Sequence, residues 1–376
     1  MAVCIASKRT LRTVASGYGT LVPLAVMETV GGQQGSPHVM SSGVLKKFRT
    51  YAGSGITLAR ATIGLGRAPL FVSWNLTFRC NLRCGYCGAS DAPRRECTTE
   101  EVRAGLAELF RLGARWVTFG GGEPLLRPDL GTLIADAKGL GYQVFVSTNG
   151  HFLPGRLEDL RLVDNLNFSL DGPREVHDAV RGAGAFDDTL RAAAAAREAG
   201  LPFSFQCVLA RHNLDHVAAA LEIAREQGAW MMFQPATAWL DSSTAPNPLA
   251  PPVAPYRAAM EELLRLKKAG APVANSPAGL RHLSRWPDAA PIRCLAGRLM
   301  VAVEPDGTLL SCHQCDVGQF LDAADRPTTG LAAQFRATPP PRGCAQCWCA
   351  PVVELALICS LNPEAIWNTA RRFFVG

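Results

Sequence analysis

The chain has 376 residues, 48% of them hydrophobic, with 38 Lys and Arg against 32 Asp and Glu for a net charge of +6. Such a chain supports a sizeable core and is too apolar to be disordered as a whole. No run of eighteen apolar residues exists, which excludes an ordinary membrane-spanning helix, and the apolar stretch 21–27 is too short for a signal-peptide core.

Thirteen cysteines are spread unevenly, six of them between Cys312 and Cys359. An odd, clustered set argues for metal ligation in a reducing compartment over paired disulfides, so a cytoplasmic location is expected. The charge excess lies in the leader: residues 1–70 hold eight basic residues against Glu28 alone, leaving −1 for the rest. The leader, 1–69, begins with forty Gly-, Ser- and Thr-rich residues without periodicity, which read as a flexible extension or as residues upstream of a start at Met27 or Met40. In 44–66, Leu45, Phe48, Ile56, Leu58 and Ile63 interleave with Lys46, Lys47, Arg49 and Arg60. This stretch is expected to close one end of the core as a helix; the alternative is peripheral contact with a membrane surface.

From 70 to 240, strand-like runs at 71–78, 116–119, 143–147, 166–170, 203–209 and 230–234 alternate with helical patterns at 98–112, 128–141 and 189–199. The first helix opens with a Thr98, Glu101 capping box and the second ends at Gly141. This rhythm predicts an α/β fold with a parallel sheet of six βα units. Residues 241–293 read as a five-proline linker followed by helices. Within 294–376, the alternating runs of 300–312 flank Pro305-Asp-Gly and predict a hairpin. No helix-turn-helix pattern appears, and no nucleic-acid partner is expected.

Cys80, Cys84 and Cys87 stand in Arg79-Cys-Asn-Leu-Arg-Cys-Gly-Tyr-Cys87. One short loop thus offers three thiolates to an iron-sulfur cube and leaves its fourth iron open. A zinc site normally takes four protein ligands, and a disulfide framework suits a small secreted domain. The pattern, with Tyr86 before the third cysteine, resembles the signature of the radical SAM enzymes.

That resemblance implies an open parallel (β/α)6 partial barrel with a small C-terminal iron-sulfur extension. It also implies a [4Fe-4S] cluster on Cys80, Cys84 and Cys87 that reductively cleaves S-adenosylmethionine (SAM) to a 5′-deoxyadenosyl radical, which abstracts a substrate hydrogen. By the same resemblance Gly121, Gly122 and Glu123 of Gly120-Gly-Gly-Glu-Pro124 hold the SAM ammonium. Arg181 of His177-Asp-Ala-Val-Arg contacts its carboxylate, and Val208 offers backbone contacts to adenine. Ser147 and Asn149 after the third strand, and Ser169 and Asp171 after the fourth, line the barrel mouth, where ordinary turn chemistry is the alternative. Cys294, Cys312, Cys344 and Cys347 resemble the twitch or SPASM extension and imply an auxiliary [4Fe-4S] cluster, with structural zinc as the rival and Cys315 and Cys349 as spares.

An external low-potential electron donor is implied as well. A small biosynthetic substrate, such as a sugar, aminocyclitol or lipid precursor, is preferred because the leader lacks the pattern of a fused peptide-recognition domain. Peptide modification is the alternative, and a non-catalytic electron-transfer protein a second one that Glu123 and Arg181 oppose.

Overall fold

The computed structural model describes residues 66–87, 95–238, 246–288, 290–312, 329–341 and 347–374. The leader up to residue 65, with nearly all of its basic amphipathic stretch, lies outside the described residues, as do Cys315 and Cys344.

Strand β1 (Phe71–Thr77) alternates half-buried Phe71, Ser73 and Asn75 with buried Val72, Trp74 and Leu76. The buried set faces the helices: a Cβ on Gly105 would come within 2.7 Å of the Trp74 ring. Gly105 belongs to α1 (Thr99–Arg111), whose capping box forms as expected. Thr98 Oγ1 accepts the Glu101 N–H at 3.2 Å and the Glu101 carboxylate accepts the Thr98 N–H at 2.8 Å. Next come β2 (Trp116–Gly121), α2 (Leu130–Leu140), β3 (Gln143–Thr148), α3 (Leu157–Leu160), β4 (Asn165–Ser169), α4 (Arg174–Arg181), α5 (Ala185–Glu198), β5 (Phe203–Leu209), α6 (Val217–Glu226) and β6 (Met231–Pro235). Gly141 ends α2 at φ 109°, a left-handed conformation that suits glycine. All five pairings from β1 to β6 are parallel, as crossover helices require.

The hairpin at 300–312 departs from the expected layout. Instead of standing apart in the C-terminal extension, β7 (Met300–Val303) pairs in parallel with β1, from Phe71 opposite Met300 to Trp74 opposite Val303. Antiparallel β8 (Leu309–Leu310) follows, giving one sheet in the order β6-β5-β4-β3-β2-β1-β7-β8. The physical reason is the edge of β1, whose backbone groups would otherwise lack partners, combined with the buried side chains of Val301, Ala302 and Val303.

The opposite edge, β6, is closed by the former linker region. α7 (Val253–Lys268) and α8 (Pro277–Leu283) lead the chain past it. Between them Asn275, fully buried, accepts the Phe233 N–H at 2.8 Å and donates to the Phe233 carbonyl at 2.9 Å. A side-chain amide therefore stands in for a neighbouring strand. α9 (Leu331–Ala337) packs on α1, while α10 (Ala350–Cys359) packs on α8 and on α11 (Pro363–Phe374). No helix among the described residues is long and apolar enough to cross a membrane.

Asn275→Ala should leave both Phe233 backbone groups buried without partners and lower stability by about 1–3 kcal/mol. An unchanged denaturation midpoint would show that the β6 edge is held by packing and by the backbone bonds of Met231 to Pro272 and Ala274 without the Asn275 amide.

Candidate active site at the strand carboxyl ends

The segment entering the cysteine loop is fixed first by Glu96. Its carboxylate accepts Thr77 Oγ1–H at 2.6 Å, the Phe78 N–H at 2.9 Å and Arg79 Nη2–H at 3.4 Å. Nothing in the sequence marked Glu96 for this task. The Gly120-Gly-Gly-Glu turn then lies directly against the same segment. Gly122 N–H donates to Thr77 O and Glu123 N–H to Arg79 O, both at 2.8 Å. A Cβ on Gly122 would sit 2.1 Å from Arg79 O, and one on Gly121, at φ 124°, would sit 2.6 Å from Thr77 O. These glycines admit the chain's own backbone. Beside the ligand role expected of Gly121 and Gly122, their absent side chains let the cysteine loop dock on β2.

Glu123 follows at the end of β2 and is enclosed there. Its carboxylate is 1% exposed and accepts Leu125 N–H at 3.0 Å, Thr148 Oγ1–H at 2.7 Å and Asn149 N–H at 2.8 Å. Burial raises its pKa and these donors oppose the rise. Three of about four acceptor positions on the carboxylate are thus spent, two on joining the end of β2 to the end of β3 and one on capping the turn at Leu125. Asn149 continues the link: its Nδ2 donates to Asn81 Oδ1 at 2.8 Å and lies 4.0 Å from Cys80 Sγ.

On the far side, Gly85 N–H donates to Val180 O at 3.1 Å and Tyr86 OH to Asp171 Oδ2 at 2.7 Å. Asp171 Oδ2 also accepts Arg181 Nε–H at 2.6 Å, and Asp171 Oδ1 accepts the Val208 N–H at 3.0 Å. Burial alone would raise the Asp171 carboxyl, but the Arg181 guanidinium overrides it and holds the group below the usual carboxylate range. The Asp171 N–H donates to His177 Nδ1 at 3.0 Å, and Asn213 Nδ2 donates to both Asp171 O and Val208 O. Val208 therefore spends its N–H, and one acceptor position of its carbonyl, inside the protein. Its expected backbone contact with adenine is confined to what remains. Asp171, expected to line the mouth, has a side chain that is 0% exposed.

Ser147 lies in a lateral row. In register across the inner face stand Asn75, Gly120, Ser147, Asn167 and Ser204. Asn75 Nδ2 donates to Glu304 at 3.3 Å, Asn167 Nδ2 to Ser147 Oγ at 3.5 Å and Ser204 Oγ to Asn167 Oδ1 at 3.0 Å. Ser169 stands one layer nearer the mouth, where its carbonyl accepts Thr189 Oγ1–H at 3.3 Å. Among the described residues, no strand carries a charged residue.

The sulfur environment decides whether the loop suits an iron-sulfur cube. Cys80 Sγ accepts the Leu82 N–H at 3.4 Å, and Arg181 Nη1 lies 4.0 Å from Cys84 Sγ. Burial raises both thiols, so ligation at these positions calls for positive charge on the bound group. Among the described residues, no three Cys, His, Asp or Glu side chains converge as a single metal ion requires. A cube takes each thiolate on a different iron, and this donor set fits one.

In the C-terminal part, Cys347 is within electrostatic range of Cys349, Cys312 and Cys294. Three of the four expected auxiliary ligands thus feel one another's charge, as does Cys349 just before α10. Burial pushes the Cys349 thiol up to about 12, against a backbone hydrogen bond from Val352.

Two variants test this geometry through stability. Glu123→Gln turns an amide NH2 toward at least one obligate donor and should cost about 1–3 kcal/mol in unfolding free energy. His177, with a pKa depressed by burial from 6.5 to about 4, folds as the neutral ring. The unfolded chain takes up that proton first, so stability falls as pH drops from 6.5 toward 4, by about 3 kcal/mol at most. His177→Gln should remove this part of the acid sensitivity; an identical pH profile for wild type and variant would contradict it.

Residues 74–224 match the family described as the Radical SAM superfamily. The AdoMet-dependent heme synthase of Methanosarcina barkeri is 36% identical over 175 residues, covering 44% of this chain and 50% of that protein. The chain spans half or less of the length of the first curated relatives it matches. With the PqqA peptide cyclase of Streptomyces rochei it is 33% identical over 254 residues, 65% of this chain and 69% of that one. Streptococcus suis SuiB, solved with S-adenosylmethionine bound, superposes with a TM-score of 0.58 at 16% identity, covering 76% of this chain and 69% of its own, which shows a shared fold. Similarity that spans more than two thirds of a relative, on a site assembled around the three-cysteine loop, makes this chain a member of the radical SAM superfamily, which works with a [4Fe-4S] cluster and S-adenosylmethionine.

Proposed function

We infer that the chain is a peptide-modifying radical SAM enzyme with Cys80, Cys84 and Cys87 as the ligands of the catalytic cluster. When bound, the cluster and SAM supply a 5′-deoxyadenosyl radical that removes a hydrogen atom from the substrate. The protein's part is placement. Arg181, held at its Nε, keeps the rest of its fork for the SAM carboxylate. The backbone carbonyls of the Gly121-Gly122 turn and the remaining acceptor position of Glu123 face the ammonium, while Tyr86, Asn149, Ser147 and Ser169 border the mouth. Cys294, Cys312 and Cys347, with Cys344 or Cys349, hold an auxiliary cluster in the region 294–376. An external low-potential donor supplies the electron.

The observation that carries the peptide reading is an inner face whose described strands bring amides and hydroxyls and no Lys or Arg, with the Glu304 carboxylate bonded to Asn75 at its edge. Amides and hydroxyls across β1 to β5 suit the uncharged donors and acceptors of a peptide, whereas a phosphorylated sugar or a propionate-bearing porphyrin calls for Arg or Lys on that face. The extended similarity to a peptide cyclase points the same way. The small-metabolite preference drawn from the leader yields to these two observations.

The test is transfer of deuterium into 5′-deoxyadenosine by the anaerobically reconstituted enzyme, supplied with deuterated cell extract separated into peptide and small-metabolite fractions. Label should come from the peptide fraction and vanish after protease digestion; label from the metabolite fraction alone would overturn the peptide reading. Separately, wild type should hold about eight irons and the variant lacking Cys80, Cys84 and Cys87 about four, at four per cube. Zinc without sulfide in that variant would replace the auxiliary cluster by a structural metal.

A further inference from the structure

Asp171 is the carboxylate of the site that joins the cysteine loop, α4 and β5, and its side chain is 0% exposed. Its side chain accepts from three separate elements: Tyr86 OH of the cysteine loop, Arg181 Nε–H of α4 and the Val208 N–H of β5. Its own backbone is fixed as well, the N–H by His177 and the carbonyl by Asn213. Arg181, itself 8% exposed, is thereby held with Nη1 toward Cys84 Sγ and its guanidinium carbon 5.5 Å from the centre of the Tyr86 ring.

A buried ion pair is weak evidence of stabilisation, because desolvation offsets the attraction. What this pair does provide is direction. An unpaired arginine samples many rotamers, whereas one fixed at Nε presents the rest of its fork along one line. Here that line runs to the sulfur of a cluster ligand. Tyr86, tied to the same carboxylate oxygen, cannot turn without disturbing Arg181.

We propose that Asp171 is a positioning residue for SAM binding: it touches neither cluster nor SAM, and acts by holding Arg181 and Tyr86 in one arrangement beside Cys84. The proposal rests on the assignment of Arg181 to the SAM carboxylate made under the proposed function.

The geometry dictates the variant. In Asp171→Asn the amide nitrogen must face either the Val208 N–H or the Arg181 Nε–H, and neither can accept a hydrogen bond. The experiment uses full-length enzyme reconstituted anaerobically, with the SAM dissociation constant from equilibrium dialysis and the electron paramagnetic resonance spectrum of the reduced cluster with and without SAM. Arg181→Ala should weaken SAM binding about tenfold, the scale of a lost hydrogen bond to a charged group. Asp171→Asn should weaken it comparably and blunt the spectral change on SAM addition, at undiminished iron content. The double variant should bind no worse than Arg181→Ala alone, since Asp171 works through Arg181.

If Asp171→Asn does not retain iron, Tyr86→Phe takes its place, withdrawing one donor and leaving the ion pair intact. It should weaken SAM binding about twofold with Arg181 present and not at all in the Arg181→Ala background. Wild-type affinity in Asp171→Asn, or losses that multiply in the double variant, would overturn the positioning role while leaving Arg181 its own. Wild-type affinity in Arg181→Ala would instead remove the reading on which the proposal stands.

Discussion

Arg79 O lies 2.1 Å from the point a Cβ on Gly122 would occupy, and the site is organised around that near-contact. It lets two backbone bonds of 2.8 Å join the entry of the cysteine loop to the end of β2. With that side closed, Asn149 reaches Asn81 from β3, and Asp171 reaches Tyr86 from the end of β4. The loop is held from three strand ends by the protein's own hydrogen bonds. Preorganisation of this kind lowers the ordering cost when a cluster and SAM arrive. A side chain at position 122 would push the two segments apart and disturb all of these contacts.

Glu123 and Asp171 show how buried charge is used to join segments. Each carboxylate is enclosed and surrounded by donors from separate elements, so each joins strands that share no ladder at that level. The charged groups of the site come from loops and helix ends, while the strands contribute amides and hydroxyls. The inner face is thereby lined by amides and hydroxyls, with Glu304 bonded to Asn75 at its edge.

The six central strands were legible because apolar and aromatic residues recur at the spacing of βα units. The capping box at Thr98 and the glycine stop at Gly141 marked two of the helices. The cysteine loop was legible because its chemistry is local. What depended on distant partners was not. The pairing of β7 with β1 joins residues more than two hundred positions apart, and a Pro-Asp-Gly turn announces a hairpin without saying which sheet it enters. Gly121 and Gly122 read as room for a ligand because a sequence shows only that a Cβ is missing, not which atom approaches. Asp171 read as a mouth residue from its place after β4, whereas its burial depends on Tyr86, Arg181 and Val208 arriving from three other segments. Of the C-terminal cysteines, sequence spacing ranked Cys349 as a spare, and in the fold it lies within electrostatic range of Cys312 and Cys347.

The central claim is that the loop carrying Cys80, Cys84 and Cys87 presents an open iron to SAM. Its most direct test is release of 5′-deoxyadenosine from SAM under dithionite, by anaerobically reconstituted wild type and by the variant with all three cysteines replaced by alanine. The account predicts turnover in the wild type and none in the variant, even where the variant keeps its C-terminal irons. SAM cleavage by the triple variant would place the reactive cluster elsewhere and contradict it.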